Sequence, residues 1–384
     1  MDHAEAEKSK PRPPLAATLT RLATLSHRSR LALLGEFLRL RLGPGRLSFD
    51  EYVGLRLFES ETLANADKTR FVGYRRTLKI WFQANYQVNV FGLVNNKIAA
   101  DLLFAAHGFP VLPTFALFRV GVGLGGRFLI PGELELRAFL RDGGNYPLFG
   151  KPVSGYQSLG STSMVRFEPS ADCLVNTTGQ YIPLDTYIAY VREFAASGYL
   201  FQRRISPHAD VQRVCGDRLA TVRLLTMAAG GRPKVIRACW KIPAGLNSAD
   251  NFWRPGNLLA QIDLDSGRVL RVIRRDRAGA SEITHHPDSG TLIQGMTIPN
   301  WREVLHLAAE GARVVDEMAL IGWDIAPVDG GAVLVELNET PDLNLHQLAD
   351  RRGILDDEFV DFLKQRKNDR AVQVKKVRQR RRDK

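Results

Sequence analysis

Apolar residues recur at helical spacing from Leu22 to Leu42, and the run stops at Gly43-Pro44-Gly45, where a proline without an N–H and two permissive glycines break a helix. Ser48-Phe49-Asp50-Glu51 opens the next predicted helix, with the Ser48 hydroxyl as N-cap and Glu51 as its capping-box partner. Residues 15–88 therefore read as an α-helical N-terminal region. They contain no glycine-rich strand-to-helix turn, so a Rossmann half-domain is not supported. From Asn89 onward the pattern becomes mixed. Asn95-Asn96-Lys97 precedes a helical run from Ile98 to His107, Gly108 stops it, and Pro110 and Pro113 bracket an extended segment. Tyr146 to Lys151 reads as a strand, and a glycine- and serine-rich loop follows it. Thr162 to Phe167 and Leu200 to Ile205 read as further strands. Arg218 to Met227 alternates apolar and polar residues as a half-buried strand does, and Val235 to Pro243 continues the sheet after Gly230-Gly231. A helix is predicted from Ile298-Pro299-Asn300-Trp301 through Leu320. Its apolar face (Val304, Leu307, Ala308, Val314, Val315, Met318) belongs to a core.

The stretch Ile321 to Leu343, IGWDIAPVDGGAVLVELNETPDL, predicts two short strands joined at Asp329-Gly330-Gly331. Residues two apart on a strand face one side, so Glu336 and Asn338 point together, and a hairpin brings Asp324 beside them. Carboxylates inside strongly apolar strands are costly unless something compensates them. Oxygen ligands of this kind suit a hard cation such as Mg²⁺, which keeps coordination positions for phosphate oxygens.

Composition adds bounds. The 384 residues are 45% hydrophobic and 24% charged, an ordinary globular balance with room for one large domain or two to three smaller ones. No apolar run approaches the roughly 20 residues that span a bilayer, and the polar start MDHAEAEKSKPRPP lacks the apolar core of a secretion signal. Cys173, Cys215 and Cys239 are widely spaced and fit neither a disulfide framework nor a zinc site, so free thiols in a reducing cytoplasm are expected. His285-His286 lacks a third ligand at tetrahedral spacing and reads as loop. The net charge of +12 is uneven: residues 366–384 carry ten Lys/Arg against two Asp/Glu, or +8. Such a block reads as a disordered tail making weak, salt-sensitive contacts with anionic partners.

The motifs together resemble the ATP-grasp superfamily. They are closest to its sugar-transfer-associated group and more distantly similar to glutamate-ligase-type carboxylate–amine ligases. The resemblance spans roughly residues 89–350. Its landmarks are GWDIA with VLVELNETPDL, the Lys97 helix start, Lys151-Pro152 before the Gly/Ser loop, the Leu200–Ile205 segment, and the strand bearing Arg223. It implies an α+β ATP-grasp fold, two α/β subdomains clamping ATP, preceded by the helical region. The corresponding divisions are a disordered start (1–14), a helical region (15–88), an ATP-grasp domain (89–365) and a basic tail (366–384). Within the domain, 89–200 carries the lysines and phosphate lid, and 201–350 the hinge and magnesium part. By the same resemblance Asp324, Glu336 and Asn338 hold Mg²⁺. Lys97, Lys151, Ser158, Gly160, Gln202, Arg203, Ile205, His208 and Lys241 contact ATP, and Arg223 and Asn251 orient the γ-phosphate and acceptor.

The implied activity is an ATP- and Mg²⁺-dependent ligase joining a carboxylate to an amine through an acylphosphate. A sugar-linked, cell-envelope or natural-product acceptor is compatible with it. Three other readings remain: an ATP-grasp kinase acting on a hydroxyl, a nucleic-acid binder using the basic tail, and a non-catalytic nucleotide-binding partner. The helical region reads as shaping an acceptor site or a homodimer interface.

Overall fold

The computed structural model describes residues 14–59, 63–85, 90–120, 129–154, 160–229, 231–276 and 279–382. Apart from Pro14, the polar start lies outside them. The chain folds into two compact units, one drawn from Met1–Tyr86, Arg277–Ala280 and Thr340–Lys384, the other from Gln87–Asp276 and Ser281–Glu339.

The first, helical unit opens with α1 (Leu15–Ser26), α2 (Arg30–Leu42), α3 (Phe49–Gly54), α4 (Asn65–Lys68) and α5 (Tyr74–Ala84). The mixed unit follows with α6 (Phe91–Asn95), α7 (Lys97–Ala106), β1 (Thr114–Phe118), β2 (Leu129–Ile130), α8 (Glu133–Arg141), β3 (Leu148–Pro152) and β4 (Thr162–Glu168). It continues through β5 (Cys173–Asn176), β6 (Tyr181–Pro183), α9 (Leu184–Arg192), β7 (Tyr199–Arg203), α10 (Ala209–Cys215), β8 (Val222–Ala229) and β9 (Arg232–Ile242). Next come β10 (Leu258–Ile262), β11 (Val269–Asp276), β12 (Gly279–Ile283), α11 (Trp301–Val314), β13 (Leu320–Val328) and β14 (Gly331–Asn338). The chain then returns to the helical unit as α12 (Leu343–Asp350) and α13 (Asp357–Arg382).

In the helical unit the single apolar run ending at Leu42 is split. His27 adopts a left-handed backbone (φ 51°) after α1, and the Ser29 side chain caps α2 by accepting from the Ala32 N–H. The Ser48–Glu51 capping box forms as the sequence suggests. Buried between α2, α3 and α4 is Glu36, whose carboxylate accepts from Arg28, from the Tyr52 hydroxyl (2.7 Å) and from Lys68 Nζ (3.0 Å). Burial works against the Glu36 charge, but these donors together hold its pKa below the ordinary carboxylate value.

Residues 340–384 join this unit, whereas the sequence grouped those up to 365 with the mixed region. Gln347 of α12, fully buried, accepts from the Val72 N–H and donates to the Val72 carbonyl. Gln83 of α5 donates to the Leu363 carbonyl on α13, and Arg366 donates to the Ala84 carbonyl. The basic block expected to be disordered continues α13 as helix to Arg382. After Gly353 it contains no glycine or proline, and arginine, lysine and glutamine favour helix.

The mixed unit holds two sheets. One has the order β2-β1-β7-β3-β4-β5-β6 and the other β12-β11-β10-β9-β8-β13-β14. The first packs Leu136 and Leu140 of α8, with Leu184, Tyr187, Ile188 and Val191 of α9, against Leu148, Met164, Tyr199 and Phe201. The second is covered by α7, α10 and α11. The helix predicted through Leu320 ends at Val314, because Val315 leaves helical geometry and Leu320 already starts β13. Trp323 faces this core. It is fully buried, donates from Nε1 to Thr226 Oγ1 (2.8 Å), and meets Phe104 edge to face. Side chains alternate along a strand, so burying Trp323 on one face sends its neighbour Asp324 to the other. The β13–β14 register places Asp324 opposite Glu336, and the β8–β13 register places it opposite Arg223.

Candidate active site

The polar face of β8, β9, β13 and β14 borders a cleft within the mixed unit, lined also by Lys97, Lys151, Ser161, Ser163, Arg203 and Ile205. The cleft is open to solvent at its mouth and encloses about 110 Å³. Its charged lining comprises Lys97, Lys151, Arg203, Arg204, Arg218 and Lys241 against Asp217, Asp250, Asp324 and Glu336, six cations to four carboxylates, or +2.

Asp324 organises the floor. Its oxygens accept from Arg223 Nε (2.6 Å) and Arg223 Nη2 (2.8 Å), and Lys241 Nζ lies 3.1 Å from Oδ2. Lys241 also reaches Asp250 at 3.4 Å, and Asp250 in turn accepts from the backbone and hydroxyl of Thr221. All four charged groups are buried. Desolvation penalises the Asp324 charge, yet Arg223 and Lys241 outweigh it and hold the carboxyl far below its ordinary range. Arg223 likewise pays for burial and is raised by Asp324.

Lys151 differs from these. It sits on β3 with only 5% of its surface exposed. Among the described residues no carboxylate lies within ion-pair distance of its ammonium. Burial pushes its pKa down, and the more distant Glu336 and Asp101 only partly oppose this. Beside it, Lys97, the first residue of α7, pairs with Glu336 at 3.2 Å. Asp101, one turn along α7, is pushed up to about 6, first by burial and then by the Glu336 charge, against the pull of Lys151 and Lys97. Gln202 donates to Asp101 Oδ2 (3.1 Å) and to the Leu112 carbonyl (2.9 Å), while its own Oε1 is buried with no partner among the described residues.

The residues nominated from the sequence thus separate. Lys97, Lys151, Arg203, Ile205, Lys241, Asp324 and Glu336 line the cleft, and Arg223 stands behind Asp324. Gln202 lies beneath, fully buried. Gly160 borders β3 at φ +83°, its carbonyl accepts from the Tyr199 hydroxyl, and a Cβ there would meet Pro152 and the Phe194 ring at 2.7 and 2.8 Å. Ser158 falls outside the described residues. His208 is the N-cap of α10, its Nδ1 accepting from the Asp210 N–H, and it is not among the cleft-lining residues. Asn251 accepts from the Trp253 N–H in a local turn, while its neighbour Asp250 lines the cleft. Asn338 lies on the far side of Glu336, in a smaller pocket with Asn95, Asp101 and Glu339. Sequence reasoning placed Asp250 with Asn251 and Lys241 on a polar rim, and it passed over Asp101 and Thr221. A carboxylate one helical turn from Lys97 was the available signal for Asp101.

The hard-cation reading meets a mixed set of donors. Glu336 is only half-buried and engages Lys97 through a single oxygen. Among the described residues the buried Nδ2 of Asn338 has no partner, so none of them fixes which end of the amide faces the pocket. Both fit a cation with oxygen ligands. Asp324 departs from its expected role, because both its oxygens already serve Arg223 and Lys241. Among the described residues no three His, Cys, Asp or Glu side chains group as a metal site.

A family profile described as sugar-transfer associated ATP-grasp matches residues 79–361, which is 283 of the 384 residues. Comparison with curated protein sequences finds no match. Among solved structures, a D-Ala:D-Ser ligase from Enterococcus faecalis is 15% identical, with 71% of this chain and 61% of that one aligned, TM-score 0.38. A D-alanine–D-alanine ligase from Coxiella burnetii is 12% identical (74% and 60%, TM-score 0.41), and a biotin carboxylase from Campylobacter jejuni 10% (83% and 59%, TM-score 0.45). The chain therefore spans less than two thirds of the length of these structures.

Proposed function

Because the chain belongs to the sugar-transfer-associated ATP-grasp family, we propose that its cleft binds ATP with Mg²⁺ and that the protein is an ATP-dependent carboxylate–amine ligase. The observation that carries this is Lys151. A cation almost wholly removed from water, without an ion-pair partner among the described residues, is destabilising in the free protein. Such a group is retained where an anionic ligand completes it. The cleft's excess of two positive charges matches a nucleotide triphosphate whose charge is half neutralised by a divalent cation.

In this reading Lys151 and Lys97 receive phosphate oxygens, and Lys97 exchanges its contact with Glu336 for one with the nucleotide. Glu336 and Asn338 are the residues that would hold Mg²⁺, and the ion's contribution when bound is to neutralise phosphate charge. Asp324, backed by Arg223, holds Lys241 at the cleft wall, so that cation meets the transferred group without reorganising. Arg203 and Ile205 border the base. The γ-phosphoryl group passes to a carboxylate oxygen as the bond to the β-phosphate oxygen breaks, giving ADP and an acylphosphate. An amine then attacks the acyl carbon, losing a proton, and inorganic phosphate leaves. Positioning and electrostatics carry both steps, and no nucleophilic side chain is needed.

Hydroxylamine tests this chemistry. Incubated with ATP, Mg²⁺, hydroxylamine and a panel of amino acids and sugar acids, the protein is expected to form hydroxamate in step with ADP for at least one carboxylate. ADP release on hydroxyl compounds without hydroxamate would replace the ligase with a kinase.

A further inference from the structure

The whole positive excess of the chain lies in the helical unit. Residues 1–86, 277–280 and 340–384 contain 29 Lys/Arg and 17 Asp/Glu, or +12, whereas the mixed unit contains 24 of each, or zero. Net charge far from zero in one unit only is a feature of partner choice rather than of folding.

The same unit carries an apolar face that its own core does not use. Helix α2 buries Leu33, Glu36, Phe37 and Leu40 on one side. On the opposite side Leu31, Leu38 and Leu42 are 82%, 45% and 76% exposed. At about 100° per residue, Leu31, Gly35, Leu38 and Leu42 fall within an arc of about 60°. Arg30 and Arg41 flank that stripe on one side and Arg39 on the other, all exposed. Between Pro14 and Arg46 the only acidic residue is Glu36, and it is buried and committed to Arg28, Tyr52 and Lys68. In α1, Leu25 adds a further exposed leucine.

From this pairing of a leucine stripe with arginine flanks and a +12 unit, we infer that the helical unit docks on an anionic lipid surface, with α2 lying in the interface plane. Leucines enter the acyl boundary while arginine stems lie along it and their guanidinium groups stay with lipid phosphates. Weak apolar insertion alone gives marginal binding, and a polybasic segment supplies the second attachment. Residues 366–384, with +8, are such a segment. A nucleic acid would satisfy the charge but leaves the leucine stripe without a role. No helix among the described residues is long and apolar enough to cross a membrane, so the contact is peripheral.

The test is co-flotation of the full chain with vesicles of phosphatidylcholine alone or mixed with phosphatidylglycerol, in about 0.1 M salt. Binding is expected only with phosphatidylglycerol. It should weaken by about tenfold or more in Leu31→Gln/Leu38→Gln/Leu42→Gln and in Arg30→Gln/Arg39→Gln/Arg41→Gln, exposed positions whose replacement leaves the buried face intact. Circular dichroism of both variants confirms that they remain folded. Equal flotation with both vesicle types, or undiminished binding by the folded leucine variant, would overturn the inference. Tighter binding to duplex DNA that ignores the leucine changes would replace it with a nucleic-acid surface. Leucine-dependent self-association without flotation would replace it with an interface between copies.

Discussion

Asp324→Ala is expected to lower the unfolding free energy by about 3–5 kcal/mol, the cost of removing one member of a buried ion pair. The expectation follows from geometry: one carboxylate, 4% exposed, holds the Arg223 guanidinium through two bonds and Lys241 through a third. Without it two buried cations face each other across β8 and β9, and only Lys241 retains a carboxylate, Asp250. Because the folded carboxyl is held below its ordinary value of 3.8, the sign of the pH dependence is fixed. The stabilisation is fully present above that value and is lost as the pH falls through the folded pKa. Urea unfolding of the wild type and the variant near neutral pH measures the difference. A cost below about 1 kcal/mol would mean the triad is solvated and the cleft floor is not preorganised.

Lys151→Met is expected to act in the opposite direction on stability and strongly on binding. Replacing a buried ammonium by an apolar side chain of similar length removes a desolvation penalty, so the ligand-free protein should be unchanged or more stable by about 1–2 kcal/mol. Nucleotide affinity should fall about 100-fold, the usual scale for deleting one partner of a buried charge pair. A variant that loses stability while keeping its nucleotide affinity would show that Lys151 is a structural cation with an internal partner.

How much of this was legible in the sequence depends on distance along the chain. The β13–β14 hairpin was readable because its apolar runs, its Asp-Gly-Gly turn and the two-residue spacing of Glu336 and Asn338 are all local. The Ser48–Glu51 cap was readable for the same reason. The α1–α2 break was not, since it rests on His27 entering a left-handed conformation, which histidine tolerates without announcing. The partners of Asp324 were also hidden. Arg223 lies 101 residues away, and only strand register reveals that it and Lys241 occupy the oxygens a cation was expected to take. The return of α12 and α13 to the helical unit hangs on buried Gln347 bonding Val72, a contact 275 residues apart. Residue type alone also does not disclose that His208 and Asn251 each accept from a backbone N–H two residues on.

The most direct measurement is calorimetric titration of the full chain with ATP, with and without Mg²⁺, alongside Glu336→Ala. Micromolar binding that requires Mg²⁺ and disappears in the variant is the expected result. Absence of binding in the wild type, or binding of equal strength in Glu336→Ala, would contradict the account.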